Sequence, residues 1–362
     1  MKLDNITLEH WLEAPPADKF RNGKIINYYH SYMVIKKYLI DNVYKDVASA
    51  ANLKEKEEGM YYNDHGIGHV DTVIDRASEL VKSEYCDLNA KEVYFLLCAI
   101  LIHDIGNIFG RTGHEARHHE VISHIMNDFS NDTAEQTIII EIAKAHGGRT
   151  SRDSKDTISE LLTEKHYGHE KVRTRLISSI LRFADEIADD RTRASHAMLN
   201  NNQLVESPSE IFHAYSACLD SVIVKHHDNA IFIQYHIPIG FIQRKFKKLK
   251  SDSFLVDEIY ERIEKMHLEN IYCQKYISKF IPLSRIEVNI EFMTSYKNPF
   301  DSASSTPPPI KFSIENKGYP ESPSQGIFEL CPNLSEGAIK LDGDYYFKKF
   351  HIIPQNEQKQ SL

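Results

Sequence analysis

Two residue types that ligate divalent cations stand side by side at the end of an apolar run. His103 and Asp104 follow the stretch from Val93 to Ile102 and precede Ile105, Gly106 and Asn107. Successive helical residues diverge by about 100°, so this pair can serve one ion only across a helix terminus, and Gly106 offers such an end. Alone, the dipeptide is a weak signal, because a surface pair after a core helix has the same sequence. Other donors raise its weight. Upstream, Asp64 to Gly68 leads into His69, and Val70, Val73, Ile74, Ala77 and Leu80 repeat at helical spacing, so His69 opens an amphipathic helix. Downstream, Arg117-His118-His119-Glu120 starts a further helix, and Ile138 to Ala145 forms another that ends at His146-Gly147-Gly148. A last helix from Leu176 to Ala188 sets Asp185 beside a stripe of Ile177, Ile180, Leu181, Ala184 and Ile187. A carboxylate near a core needs a cation or a hydrogen-bonding partner.

In this order, His69, then His103-Asp104, then a distant Asp185 resemble the HD superfamily of metal-dependent phosphohydrolases, whose cores are helical. The likeness runs from roughly Tyr61 to Asp190 and extends to local context: Val73 four residues after His69, the run Leu101-Ile102-His103-Asp104-Ile105-Gly106, and Arg182-Phe183-Ala184-Asp185. It implies His69, His103, Asp104 and Asp185 as ligands of one ion. As in two-metal members, it also implies His119 and His146 as ligands of a second, with Asp104 bridging. In the deoxynucleotide triphosphohydrolase branch, however, a His in a His-Glu-x-x-Ser context is catalytic, and His119-Glu120-Val121-Ile122-Ser123 resembles that context too. That branch continues His-Asp-x-Gly with a His, an aromatic and a further His. Here Asn107 departs from the first of these, and Phe109 and His114 match the others with a short insertion. Cyclic-dinucleotide phosphodiesterases of the superfamily often have Lys at the position of Asn107 and a Gly-Tyr-Pro element beyond it, and this chain has neither.

The chemistry follows from the ligands. A bound divalent ion lowers the pKa of its water and offsets charge on a phosphoryl oxygen. A nearby neutral imidazole can then give or take a proton. His114 is the candidate for that role, His119 its alternative if one ion binds, and Asp104 joins them as ligand and catalytic carboxylate. Imidazole and carboxylate donors suit Mn, Fe, Co, Ni, Zn or Mg, as one ion or two. Arg111, Arg117, Lys144, Arg149 and Arg152 are candidates to hold phosphates, for which guanidinium geometry is suited. His118, His166, His169, His226 and His227 read as surface residues.

The expected function is hydrolysis of a deoxynucleoside triphosphate to deoxynucleoside and triphosphate. The alternative is a two-metal phosphodiesterase acting on a cyclic nucleotide or dinucleotide. Two further readings stay open: a di-iron oxygenase built on the same six donors, and a catalytically silent nucleotide-sensing assembly partner. A nucleotide substrate, an effector nucleotide and a homo-oligomer are the expected partners, the last two by resemblance.

Composition fits these readings. The chain has 362 residues and a net charge of −9, which argues against a nucleic-acid-coating protein. One basic run, Arg244 to Lys250, reads as a solvated helix entry, with contact to a phosphate or a neighbouring subunit as the alternative. The five cysteines lie mostly in apolar runs and form no close pair, as in a reduced cytosolic protein. Neither a signal peptide nor a membrane-length apolar stretch is legible, so a cytoplasmic location is expected.

The fold class read from these patterns is mainly α: a helical HD-domain core with a smaller α+β C-terminal appendage. Residues 1–200 form the core, including a helix from about Gly23 to Val47 packed across it. Residues 201–293 form an α+β subdomain with strands over Ala217–Val224 and Ala230–Ile237, a helix from about Ser253 to Phe280 and a strand over Arg285–Met293. A Pro/Ser-rich linker spans 294–309 and a short β-rich segment 310–353, with strands at Ile310–Ile314, Gly326–Leu330 and Tyr345–Phe350 around a hairpin-like turn at Asp342-Gly343-Asp344. The polar residues 354–362 read as a disordered tail.

Overall fold

The computed structural model describes residues 6–14, 18–21, 24–47, 66–109, 117, 122, 132–168, 170–204, 207–249, 251–293, 307–316 and 326–350. It is mainly α, with a smaller α+β part toward the C-terminus. Its contacts divide it into two compact units. The first holds residues 1–58, 64–189 and 269–283; the second holds 59–63, 190–268 and 284–362. The division falls inside one helix, Leu255–Ile277. It therefore departs from the sequence-based boundaries at 200 and 310: residues 269–283 belong with the helical core, and 310–350 share a unit with the α+β region.

The first unit is built around one helix. Helices α1 (Leu8–Glu13), α2 (Tyr28–Asn42), α3 (Ile67–Leu80), α4 (Ala90–Ile102), α5 (Thr133–Lys144) and α6 (Thr174–Glu186) follow in order. Two short hairpins accompany them, β1 (Asp18–Arg21) with β2 (Lys24–Asn27), and β3 (Lys165–Tyr167) with β4 (Glu170–Val172). Every residue of α4 is buried, and α1, α2, α3, α5 and α6 all pack against it. A helix surrounded on all sides needs no polar face, which is why Val93 to Ile102 reads as uninterrupted apolar sequence. Its start is fixed by a capping box between Asn89 and Glu92. Glu92 is also bound by Arg173, through Nε to Oε1 at 2.8 Å and Nη2 to Oε2 at 2.7 Å, just ahead of α6.

The end of α4 differs from the expectation for Gly106. No left-handed glycine closes it: Gly106 is absent from the residues of positive φ, and the chain tightens into a 3-10 turn over Ile105–Phe109. The last carbonyls of α4 are taken up by side chains instead. His103 Nδ1–H donates to the Ile100 carbonyl at 2.7 Å, and the buried Tyr44 hydroxyl donates to that of Leu101. Tyr44 lies beyond α2, in the segment expected to cross the core.

The second unit is an antiparallel and parallel mixed sheet with helices. Helices α7 (His196–Asn200) and α8 (Glu210–Cys218) lead into β5 (Leu219–Lys225) and β6 (Ala230–Pro238). After α9 (Ile239–Ile242) and a hairpin of β7 (Phe246–Lys248) and β8 (Ser251–Ser253), helix α10 (Leu255–Ile277) precedes β9 (Arg285–Met293) and β10 (Ile310–Glu315). The sheet order is β10-β9-β6-β5, with β6 and β9 parallel and the outer pairs antiparallel. Ile286, Val288 and Ile290 on β9, and Ile310, Phe312 and Ile314 on β10, alternate inward. Tyr260 of α10 meets Phe312 edge-on, and the hydroxyls of Tyr215 and Tyr235 join α8 to β6 at 3.1 Å.

Four expectations for this unit are corrected. Ala217 and Cys218 end α8 and are not strand residues. Gly326–Leu330 and Tyr345–Phe350 are not strands: they contribute the helices α11 (Ile327–Leu330) and α12 (Gly343–Phe350). Asp342-Gly343-Asp344 is accordingly a helix start. A Cβ on Gly343 would lie 2.1 Å from Phe254 Cβ, and its N–H donates to Asp257 Oδ1 at 2.8 Å, so close approach to α10 and not a hairpin demands the glycine. The basic run is a hairpin, not a helix entry: Leu249 at φ +52 turns it. Of the expected linker 294–309, residues 307–309 are described and carry no regular structure, while 294–306 and the expected tail 354–362 lie outside the described residues.

Candidate metal centre

Helix ends bring the donors together. His69 lies in the first turn of α3, His103 caps α4, His146 follows the end of α5, and Asp185 is the penultimate residue of α6. Arg76 Nε donates to the Ile187 carbonyl at 3.2 Å, tying α3 to the end of α6 and so fixing His69 against Asp185.

Five side chains of the first unit meet there. His69 Nε2 is 3.1 Å from Asp185 Oδ1 and 3.8 Å from Asp104 Oδ2. His103 Nε2 is 3.6 Å from each of those carboxylates. His146 Nε2 is 4.0 Å from Asp104 Oδ1, and its ring meets His103 edge-on with centroids 5.1 Å apart. One donor atom each from His69, His103 and Asp185 falls within 4.8 Å of the others, the spacing of a candidate ion site. Ligands about 2.1 Å from a shared ion at tetrahedral angles are about 3.4 Å apart, and the separations of Asp185 Oδ1 from His69 Nε2 and His103 Nε2, 3.1 and 3.6 Å, bracket that value. His69, His103, Asp104 and His146 are buried, and the Asp185 side chain keeps 29% of its surface open.

Tautomers are set as a metal seat requires. His103 Nδ1–H is committed to the Ile100 carbonyl, and His146 Nδ1–H to the Ala143 carbonyl at 2.5 Å. Each Nε2 lone pair is thereby turned to the centre. Electrostatics point the same way. Burial opposes a charge on His103, yet Asp104 and Asp185 outweigh it and lift its pKa to about 9. For Asp185, burial is likewise outweighed, and His103 and His69 hold it well below the usual carboxylate range. His146 is pushed down by burial and by the charge of His103. A field that draws a proton onto a buried imidazole also draws a divalent cation.

Around the centre, Arg182 of α6 binds Glu269 through Nε at 2.7 Å and Nη2 at 3.0 Å, and lies over the ring of Tyr272 at 4.4 Å. Its Nη1 donates to Thr157 Oγ1 at 3.1 Å, and that hydroxyl donates to the Ala145 carbonyl at 2.8 Å. The chain of contacts holds the backbone next to His146.

Of the sequence-predicted ligands, the structure gathers His69, His103, Asp104, His146 and Asp185; His114 and His119, and Arg111 with them, lie outside the described residues. Lys144 and Arg149 line a cleft beside His146, and Arg152 does not. Three residues were missed or undervalued. Tyr44 under the His-Asp pair carries no motif. Lys165, on the same cleft, comes from a short strand that periodicity does not single out. Asn107, read only as a departure from the family pattern, has both atoms of its side-chain amide buried without a hydrogen bond, a condition that usually marks a site for a ligand or water.

Helix ends carrying His, His-Asp and Asp around one buried point define an HD-type domain. A model of the HD-CE family, an HD-domain family, matches residues 60–265. That is more than half of the chain, and the protein belongs to this family. No curated protein and no solved structure matches it.

Proposed function

We propose that this HD-CE protein is a metal-dependent phosphohydrolase of nucleotides whose substrate is a deoxynucleoside triphosphate. The observation that carries the hydrolase reading is the convergence of His69, His103, Asp104 and Asp185, at 3.1 to 3.8 Å, with Nε2 of His103 turned inward by its Nδ1 bond. The substrate reading is supported by the sequence context of Phe109, His114 and His119-Glu120. A divalent ion held by this group supplies Lewis acidity and a water of lowered pKa. The chain's own residues do the rest. Asp185 is held ionised by His103 and His69, buried His103 and His146 hold their rings by backbone carbonyls, and the open side at Asp185 is where a phosphoryl group can approach. The bond broken is between the α-phosphorus and the 5′ oxygen. Water adds to phosphorus, and a proton goes to the departing 5′ oxygen, the role assigned to His114.

A second reading, two-metal hydrolysis of a cyclic nucleotide or dinucleotide, is favoured by one observation: His146 Nε2 faces Asp104, where a bridging carboxylate would serve a second ion. Product analysis with Mg, Mn or Co and a panel of dNTPs, NTPs and cyclic dinucleotides separates the two. Deoxynucleoside plus triphosphate, lost in His103→Ala/Asp104→Ala, is the expected result. Linear nucleotides from the cyclic substrates, with dNTPs intact, would overturn the substrate assignment.

A further inference from the structure

A cleft of about 620 Å³ lies beside the His146 turn in the first unit. Ala145 and Gly147, the neighbours of His146, line it, but none of His69, His103, Asp104, His146 or Asp185 does. Its volume is in the range of small-molecule sites. We propose that this cleft binds a small phosphorylated ligand with an apolar body, at a site separate from the His/Asp group.

Three elements present cations to it: Lys144 from the last turn of α5, Arg149 from the following turn and Lys165 from β3, against the acidic Glu141 and Glu160. Lys144 alone would be explained by the negative end of the α5 dipole. Arg149 and Lys165 arrive from other elements and have no such explanation. Lys144 is exposed, and none of the ion pairs among the described residues involves it. Arg149 pairs with Asp153, Nη1 to Oδ1 at 3.4 Å, and the two side chains are 54% and 85% exposed. Nη1 also donates to the Asp153 carbonyl at 2.7 Å; exposed pairs contribute little, so a phosphate can replace the Asp153 carboxylate and use the guanidinium's other donors at small cost. Lys165 is held along the cleft by Glu141. Leu161 and Leu162 add apolar surface to the same lining, and Leu162 is 62% exposed although leucine gains from burial. Cations and bare aliphatic surface in one lining suit a ligand with an anionic end and an apolar body. Gly148, at φ +70, makes the turn that brings Arg149 round.

The test is isothermal titration calorimetry of the full chain with ADP and with inorganic pyrophosphate, in EDTA so that metal-dependent binding is silent. ADP is expected to bind, and more tightly than pyrophosphate by at least about fivefold because of that apolar surface. Lys144→Glu/Arg149→Glu should weaken ADP by at least about tenfold, while His103→Ala/Asp104→Ala leaves it unchanged. Leu162→Asn, a neutral change at an exposed position, should weaken ADP and not pyrophosphate, which keeps the test decisive if the double charge reversal does not fold. Absence of ADP binding, ADP no tighter than pyrophosphate, affinity indifferent to these substitutions, or affinity lost with His103 and Asp104 would overturn the proposal. Because the measurement excludes metal, its failure leaves the hydrolase reading standing, and the reverse.

Discussion

Two clusters of ionisable side chains stand out in the sequence, and the fold treats them in opposite ways. In the second unit the basic run is met by carboxylates. Arg244 Nη1 lies 2.7 Å from Glu210 Oε1 and its guanidinium 3.9 Å from the centre of the Phe246 ring. Lys247 pairs with Asp252 at 3.1 Å, and Lys248 with Glu258 at 2.8 Å and with Glu261. Glu210 and Glu258 are each 2% exposed, so these pairs pin the β7–β8 hairpin to α8 and α10. In the first unit the carboxylates face imidazoles, whose charge is optional. Opposite permanent charges already paired make structure, whereas lone pairs gathered around a point make a seat for a cation. Local density of charge in sequence does not distinguish the two, and the partners do.

The comparison can be broken most sharply at the centre itself. His103→Ala or Asp104→Ala should abolish stoichiometric metal binding by elemental analysis and lower hydrolysis by at least about a thousandfold. Full metal content in both variants would move the seat elsewhere. Next in size is a proton effect confined to the first unit. His103 sits above its ordinary value, at about 9, so its protonation stabilises the metal-free fold below about pH 6.5, and that contribution is lost as pH rises through about 9. An ion must displace this proton. Affinity for Mn or Ni should therefore rise by up to about tenfold per pH unit between 7 and 9, with proton release visible by calorimetry in buffers of different ionisation enthalpy. A pH-independent affinity would show that His103 is not a ligand.

On the other side of the comparison, Glu210→Ala removes the buried carboxylate under Arg244. It should lower stability by about 1–3 kcal/mol, discounted for the partly exposed guanidinium, and leave metal content intact. Chemical denaturation with elemental analysis on the same sample checks both halves. The smallest effect belongs to Lys247→Ala: an exposed pair with Asp252 contributes about 0–1 kcal/mol. A large loss of hydrolysis in that variant would return the basic run to the list of phosphate contacts.

Much of the centre was legible because its chemistry is written in residue type. His and Asp are costly to bury without partners, so their appearance at the ends of apolar, helix-periodic segments is informative, and His69, His103, Asp104, His146 and Asp185 were read that way. The uniform burial of α4 followed from an uninterrupted apolar run. Short C-terminal elements were misread because Tyr345–Phe350 has the aromatic content of a strand, while its helix is decided by the contact of Gly343 with Phe254 and Asp257. Tyr44 and Lys165 were invisible because hydrogen bonds and clefts join residues far apart in sequence. The helix end after His103 was misassigned for a related reason: a tyrosine from another segment satisfies the carbonyl that a left-handed glycine would have served.

The order of helices, the HD-type character of the chain and the candidate donors were thus determined by sequence, since burial cost and periodicity act locally and leave a pattern in residue types. Tertiary structure alone decided which charges are already neutralised and which carbonyls orient the imidazoles. It also decided that Lys144, Arg149 and Lys165 share one cleft. Electrostatic pairing depends on distance in space, and distances between helix ends exist only once the apolar faces have packed.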